Sequence, residues 1–144
     1  MAEHHLKSVE RISCLIAEVA ASQRPYVEKC CSVCAAPCCL RVRYVYSSSD
    51  IRFLKLAGKK RKWSGSAFLK GGCWFLGPSG CTVEPVSRPL LCHTYLCNEL
   101  KEMMHREDPA LLPELMSKFT KISMLQRRLG CVMGNDGYGY QTLP

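Results

Sequence analysis

Five of the ten residues in "CCSVCAAPCC", positions 30–39, are cysteines. Cys31 and Cys34 form a C-x2-C, and Cys38 and Cys39 follow three residues later as a vicinal pair. Two thiolates three positions apart in a tight turn converge on one metal ion or one cluster edge, which is why the spacing recurs in zinc and iron–sulfur sites. Four more cysteines lie downstream in "CWFLGPSGCTVEPVSRPLLCHTYLC", at Cys73, Cys81, Cys92 and Cys97. A lone C-x2-C is weak evidence. C-x2-C-x3-C-C followed by four spaced cysteines is much stronger.

The vicinal pair constrains the chemistry. Successive side chains of an extended backbone point to opposite sides, so Cys38 and Cys39 do not easily serve one tetrahedral ion. Cys92 and Cys97 pose a similar problem, because five residues on a continuous helix turn through about 140°. Both reach one metal only if a helix starts between them or a cluster spans the gap. These spacings favour a multinuclear cluster or two neighbouring sites, with iron slightly ahead of zinc.

Competing uses of the thiols fare worse. The chain has 11 cysteines, an odd number that forbids complete internal pairing. "MAEHHLKSVERISCLIAEVAASQ" scatters charges through its apolar positions and lacks the unbroken apolar core of a secretory signal. The expected location is therefore cytoplasmic, where thiols stay reduced. A thioredoxin-type pair opens a helix, whereas Cys34 is followed by Ala-Ala-Pro-Cys-Cys. The C-x3-C-x2-C of radical S-adenosylmethionine enzymes is absent, because Pro37 stands where the third cysteine would be. No Walker loop, G-x-G-x-x-G or H-E-x-x-H occurs.

The remaining thiols and imidazoles read as bland. Cys14, Cys30 and Cys131 are spare or buried thiols. His4, His5 and His105 fall at exposed helix positions. His93 adjoins Cys92, and an ordinary helical residue is favoured over a ligand or a base.

The net charge is +8. Four thiolates on one zinc carry a net charge of about −2, so the positive balance is partly a counter-charge for the cysteines. "KKRK", residues 59–62 beside Trp63, is a solvated loop in the plain reading and an anion or nucleic-acid contact in the sharper one.

The elements that must position the cysteines follow from periodicity. The chain's 144 residues fit one domain, 1–144, with no transmembrane run. The spacing predicts a helix over 3–22 on Val9, Ile12, Leu15, Ile16 and Val19, ended by Pro25. A cysteine loop over 30–39 and a strand over 40–46 come next. Serines 47–49 offer an N-cap for a helix that Gly58 closes, with Ile51, Phe53 and Leu54 inward. Residues 64–88 read as loop. A helix over 89–106 carries Leu96, Leu100, Met103 and Met104. The last helix, 109–129, opens at Asp108 and stops at Gly130, with Leu112, Leu115, Met116, Phe119, Ile122 and Leu125 as its core face. The tail, "GNDGYGYQTLP", is a loose terminal segment. The expected class is α+β, mainly α: three to four helices, a short β element and irregular metal-stabilised loops, with a metal-binding core over 30–97.

The cysteine blocks resemble the YkgJ-like family of cysteine-cluster proteins, regarded as zinc- or iron-chelating. "CSVCAAPCC" is similar to its C-x2-C-x3-C-C signature. Cys73, Phe75, Leu76, Cys81, Arg88, Pro89, Cys92, Tyr95 and Cys97 are similar in order to its second block, and the likeness covers about residues 31–97. His93 stands where that family usually has arginine, and Thr82-Val83-Glu84 lacks its frequent tyrosine. The resemblance implies Cys31, Cys34, Cys38, Cys39, Cys73, Cys81, Cys92 and Cys97 as the metal set, binding zinc or an iron–sulfur cluster. A flagellin lysine methylase looks related through its cysteine cluster. The alternatives to plain metal binding are therefore a cluster-dependent protein-modifying enzyme, methyltransferase-like, and a zinc-stabilised adaptor for nucleic acid or protein.

Overall fold

A computed structural model describes residues 3–31, 45–63, 68–69, 72–73, 76–77 and 80–132. Five α-helices carry the architecture: α1 Glu3–Cys31, α2 Ser48–Leu56, α3 Leu90–Thr94, α4 Asn98–Glu107 and α5 Leu111–Val132. The fold is helical, and the α+β expectation is overturned. Its strand over 40–46 lies outside the described residues except for Val45 and Tyr46. Extended pairing is confined, among the described residues, to an isolated bridge at Val45 and two antiparallel ladders. β1 (Phe68–Leu69) pairs with β2 (Gly72–Cys73), and β3 (Leu76–Gly77) with β4 (Gly80–Cys81). Two-residue ladders are too short to build a layer. Among the described residues, the buried apolar side chains that lie off the helices are Tyr46, Val83, Pro89 and Leu96.

α1 and α5 are the two long walls. α1 buries Val9, Ile12, Leu15, Ile16, Val19 and Gln23, a continuous stripe at helical spacing. α5 buries Leu111, Leu115, Phe119, Ile122, Gln126 and Leu129. This stripe differs from the expected one: Met116 is 53% exposed, and Leu112 and Leu125 sit at its edge. The helix is turned so that Leu111 and Leu129 are buried instead, and it packs against α1, α2 and α4. Ile12, Leu115 and Ile122 are fully buried, worth about 1.5–3 kcal/mol each in apolar transfer.

Three helix ends differ from the sequence expectation. α1 continues through Pro25, which is exposed, as is Ala21, the residue whose carbonyl loses its helical donor there. Tyr26, Val27 and Cys30 continue the apolar stripe beyond the proline and offset the lost bond. α5 likewise passes Gly130 rather than stopping there. The glycine serves a close approach, because the Arg52 guanidinium occupies the place a Cβ would take. The helix expected over 89–106 is two helices, with Tyr95 and Cys97 in extended backbone between them.

α2 follows expectation closely. Ser47 is its N-cap and Asp50 completes a capping box, each side chain meeting the other's backbone N–H. Gly58, at φ 70°, takes the left-handed conformation that ends the helix. No helix of the described residues is long and apolar enough to cross a membrane.

Candidate functional site

The eight expected ligands fall into three groups. Cys34, Cys38 and Cys39 lie outside the described residues. Cys73 and Cys81 are placed by their backbones, each at the second position of a strand, in β2 and β4. Cys31, Cys92 and Cys97 are half-buried, at the end of α1, within α3 and at the N-cap of α4. α1 is the common neighbour, since it packs against β4, α3 and α4. Among the described residues no group of three or more His, Cys, Asp or Glu side chains is placed to hold a metal. Cys31, Cys92 and Cys97 therefore do not make a site by themselves.

The continuation of α1 moves Cys30 and Cys31 from a loop onto the helix. Cys30 is seven residues from Gln23, close to two turns, so it shares that buried face and packs on the core. Cys31 lies well to one side of it, at the exit into the C-x2-C segment. Cys14 is exposed, as expected of a stray thiol.

The second block hangs on a hydrogen-bonded frame. A 3-10 turn, Pro85–Ser87, links the strand holding Cys81 to the helix holding Cys92. The Ser87 hydroxyl donates to Glu84 at 2.6 Å, and Arg88 Nε donates to the Val83 carbonyl at 2.8 Å. With Lys59 also on Glu84 at 2.9 Å, these contacts hold its carboxyl below the usual carboxylate range, the Ser87 bond most of all. The buried Tyr46 hydroxyl donates to the Ser87 carbonyl and accepts from Lys62 N–H at 3.1 Å.

His93 is the buried centre of this frame, 1% exposed. Its Nε2 lies 2.8 Å from the Pro85 carbonyl. A carbonyl only accepts, so Nε2 carries the proton and is not a metal ligand. The backbone carbonyl of His93 accepts from Gln23 Nε2 at 2.8 Å. In a continuous helix that carbonyl would take the N–H of Cys97, four residues on. Gln23, reaching from α1, caps it instead where α3 ends. Leu96 then turns into the core and α4 restarts at Asn98, with Lys101 N–H on the Cys97 carbonyl at 3.0 Å. Sequence reasoning missed this break because "HTYLCN" contains no glycine or proline.

Burial pushes the His93 pKa from 6.5 down to about 4, with the Pro85 bond opposing and Arg88 assisting. The unfolded chain therefore binds more protons between those values. Stability is full above pH 6.5 and falls as the pH drops towards 4, by roughly 3 kcal/mol from this group. Thermal melts across that range should show a flatter profile for His93→Gln than for the parent chain.

The basic run is partly spoken for. Lys59 pairs with Glu84, while Lys60, Arg61 and Lys62 are exposed. Trp63 packs on the core, its ring 4.7 Å from that of Tyr46, so it is a structural residue rather than an open stacking platform. No family model, curated protein or solved structure matches this chain. The likeness of the cysteine blocks to the YkgJ-like family stands on their spacing alone.

Proposed function

We propose that the chain is a metal-binding protein that holds an iron–sulfur cluster or zinc, with iron favoured, through two cysteine blocks. The first is Cys31, Cys34, Cys38 and Cys39, and the second is Cys73, Cys81, Cys92 and Cys97. The observation that carries the reading is C-x2-C-x3-C-C followed by four further spaced cysteines, among 11 cysteines that cannot all pair with one another.

The local structure is compatible with that donor set. The break between α3 and α4 supports it, because Cys92 lies within α3 while Cys97 is the extended residue before α4 starts, so the two are not on one continuous helix. α1 carries Cys31 and packs against the elements that bear Cys81, Cys92 and Cys97. The site still needs thiols from the 34–39 segment, since the described side chains form no ligand group of their own.

Metal analysis of anaerobically purified chain tests the reading. At least one zinc or iron per chain is expected, with sulfide and brown colour if a cluster is bound. Metal-free protein with titratable thiols would refute it.

A further inference from the structure

The α3–α4 break is held open from outside by two buried side chains. Gln23 is 6% exposed and His93 1%. The first takes the carbonyl that a continuous helix would use to bind Cys97, and the second fastens α3 to the Pro85 carbonyl. Both bonds are 2.8 Å and both partners are backbone. Each is a buried polar side chain whose N–H satisfies a backbone carbonyl that an apolar residue of similar size would leave without that donor.

The consequence falls on two thiols. Cys92 immediately precedes His93, and Cys97 is the residue whose N–H has lost its helical acceptor. Joined into one helix, the two cysteines would project about 140° apart. The break removes that restriction and places Cys97 as the N-cap of a new helix. Gln23 also sits eight residues before Cys31 on α1, about 12 Å along the axis. The same bond thus sets the register of the helix that delivers the first cysteine block.

We infer that Gln23 and His93 are positioning residues that fix Cys92 and Cys97 at the α3–α4 break as a prearranged half of a thiolate metal site. This inference rests on the metal-binding reading above. The half-site is built by protein hydrogen bonds before the metal arrives, so its geometry is set by α1 rather than by the metal. Groups that orient metal ligands in this way typically change affinity by about 10–100-fold when lost.

Cobalt(II) titration of the reduced, full-length chain tests it, because thiolate-to-cobalt charge-transfer absorption reports both affinity and the number of sulfur ligands. Gln23→Met keeps the volume and removes the donor. His93→Leu removes the imidazole, and His93→Gln restores a donor. Leu115→Ala, on α5, which carries none of the eight candidate ligands, is the control for general destabilisation. Gln23→Met and His93→Leu should weaken cobalt binding about tenfold or more and reduce the charge-transfer intensity, with His93→Gln recovering part of both. The control should melt lower and leave the spectrum unchanged. If the parent chain binds cobalt and the variants change no more than the control does, the positioning role falls and metal binding stands. If the parent chain gives no thiolate–cobalt band, the metal-binding reading falls and takes this inference with it.

Discussion

Chelation of the reduced chain should lower its melting temperature by roughly 8–16 °C. A metal present at about a thousand times its dissociation constant adds about 4 kcal/mol to the folded state. In a chain of this size each kcal/mol moves the midpoint by about 2–4 °C. The effect has a local cause. α1, which ends at Cys31, packs against β4, α3 and α4, and in the proposed site thiolates drawn together from these elements would repel one another once their cation is gone. The demetallated chain should keep most of its helix signal, because α1, α2, α4 and α5 share an apolar core whose buried members include no cysteine. Differential scanning calorimetry with and without chelator measures the shift. An unchanged melt after verified metal removal would contradict the structural role of the metal.

Asp50→Ala should destabilise the protein by about 2–4 kcal/mol, among the largest effects available to a single polar residue here. The carboxylate is 4% exposed and joins three elements. One oxygen accepts from Ser47 N–H at 2.9 Å and from the Ser47 hydroxyl at 3.0 Å, closing the N-terminus of α2. The other accepts from Leu90 N–H at 3.1 Å at the start of α3, and Gln126 of α5 adds a side-chain bond. Alanine strands those donors in the interior. Asparagine keeps one acceptor and should fall between. Urea melts of the three chains give the order directly.

The pH behaviour of Asp50 opposes that of His93. Burial raises its pKa above the ordinary 3.8, against the pull of its hydrogen bonds. Its contribution to stability is present at low pH and fades as the pH rises through the folded-state value. His93 acts the other way between 6.5 and about 4. The His93→Gln comparison separates the two, since Asp50 is common to both chains.

Much of the helical frame was legible because it rests on local rules. The Ser47–Asp50 capping box, the glycine at 58 and the stripe from Val9 to Val19 are written in residue type and spacing. The failures share a different cause. Pro25 and Gly130 are strong local stop signals, and each is overridden by tertiary contact, the apolar stripe of Tyr26, Val27 and Cys30 in one case and Arg52 in the other. The break at residues 95–97 carries no local signal at all. Its cap comes from Gln23, 70 residues upstream. The α+β expectation fell because, among the described residues, most buried apolar side chains are on helices and the extended pairing is two two-residue ladders and one bridge.

The cysteines were legible as a pattern of types and spacing, and the hydrogen bonds of Gln23, Glu84 and His93 add a frame around Cys92 and Cys97. Cys92 and Cys97, expected on one helix over 89–106, lie instead within α3 and at the N-cap of α4. His93 gained most from the structure. It is a neutral, buried donor to Pro85 that ties the frame together.

The central claim is that these thiols exist to hold metal. Elemental analysis of the full-length chain, purified without oxygen and without added metal, addresses it most directly when paired with a visible spectrum. At least one iron or zinc per chain, with brown colour and acid-labile sulfide in the favoured case, is the expected result. A colourless chain with neither metal above background and its 11 cysteines all free to react would contradict it.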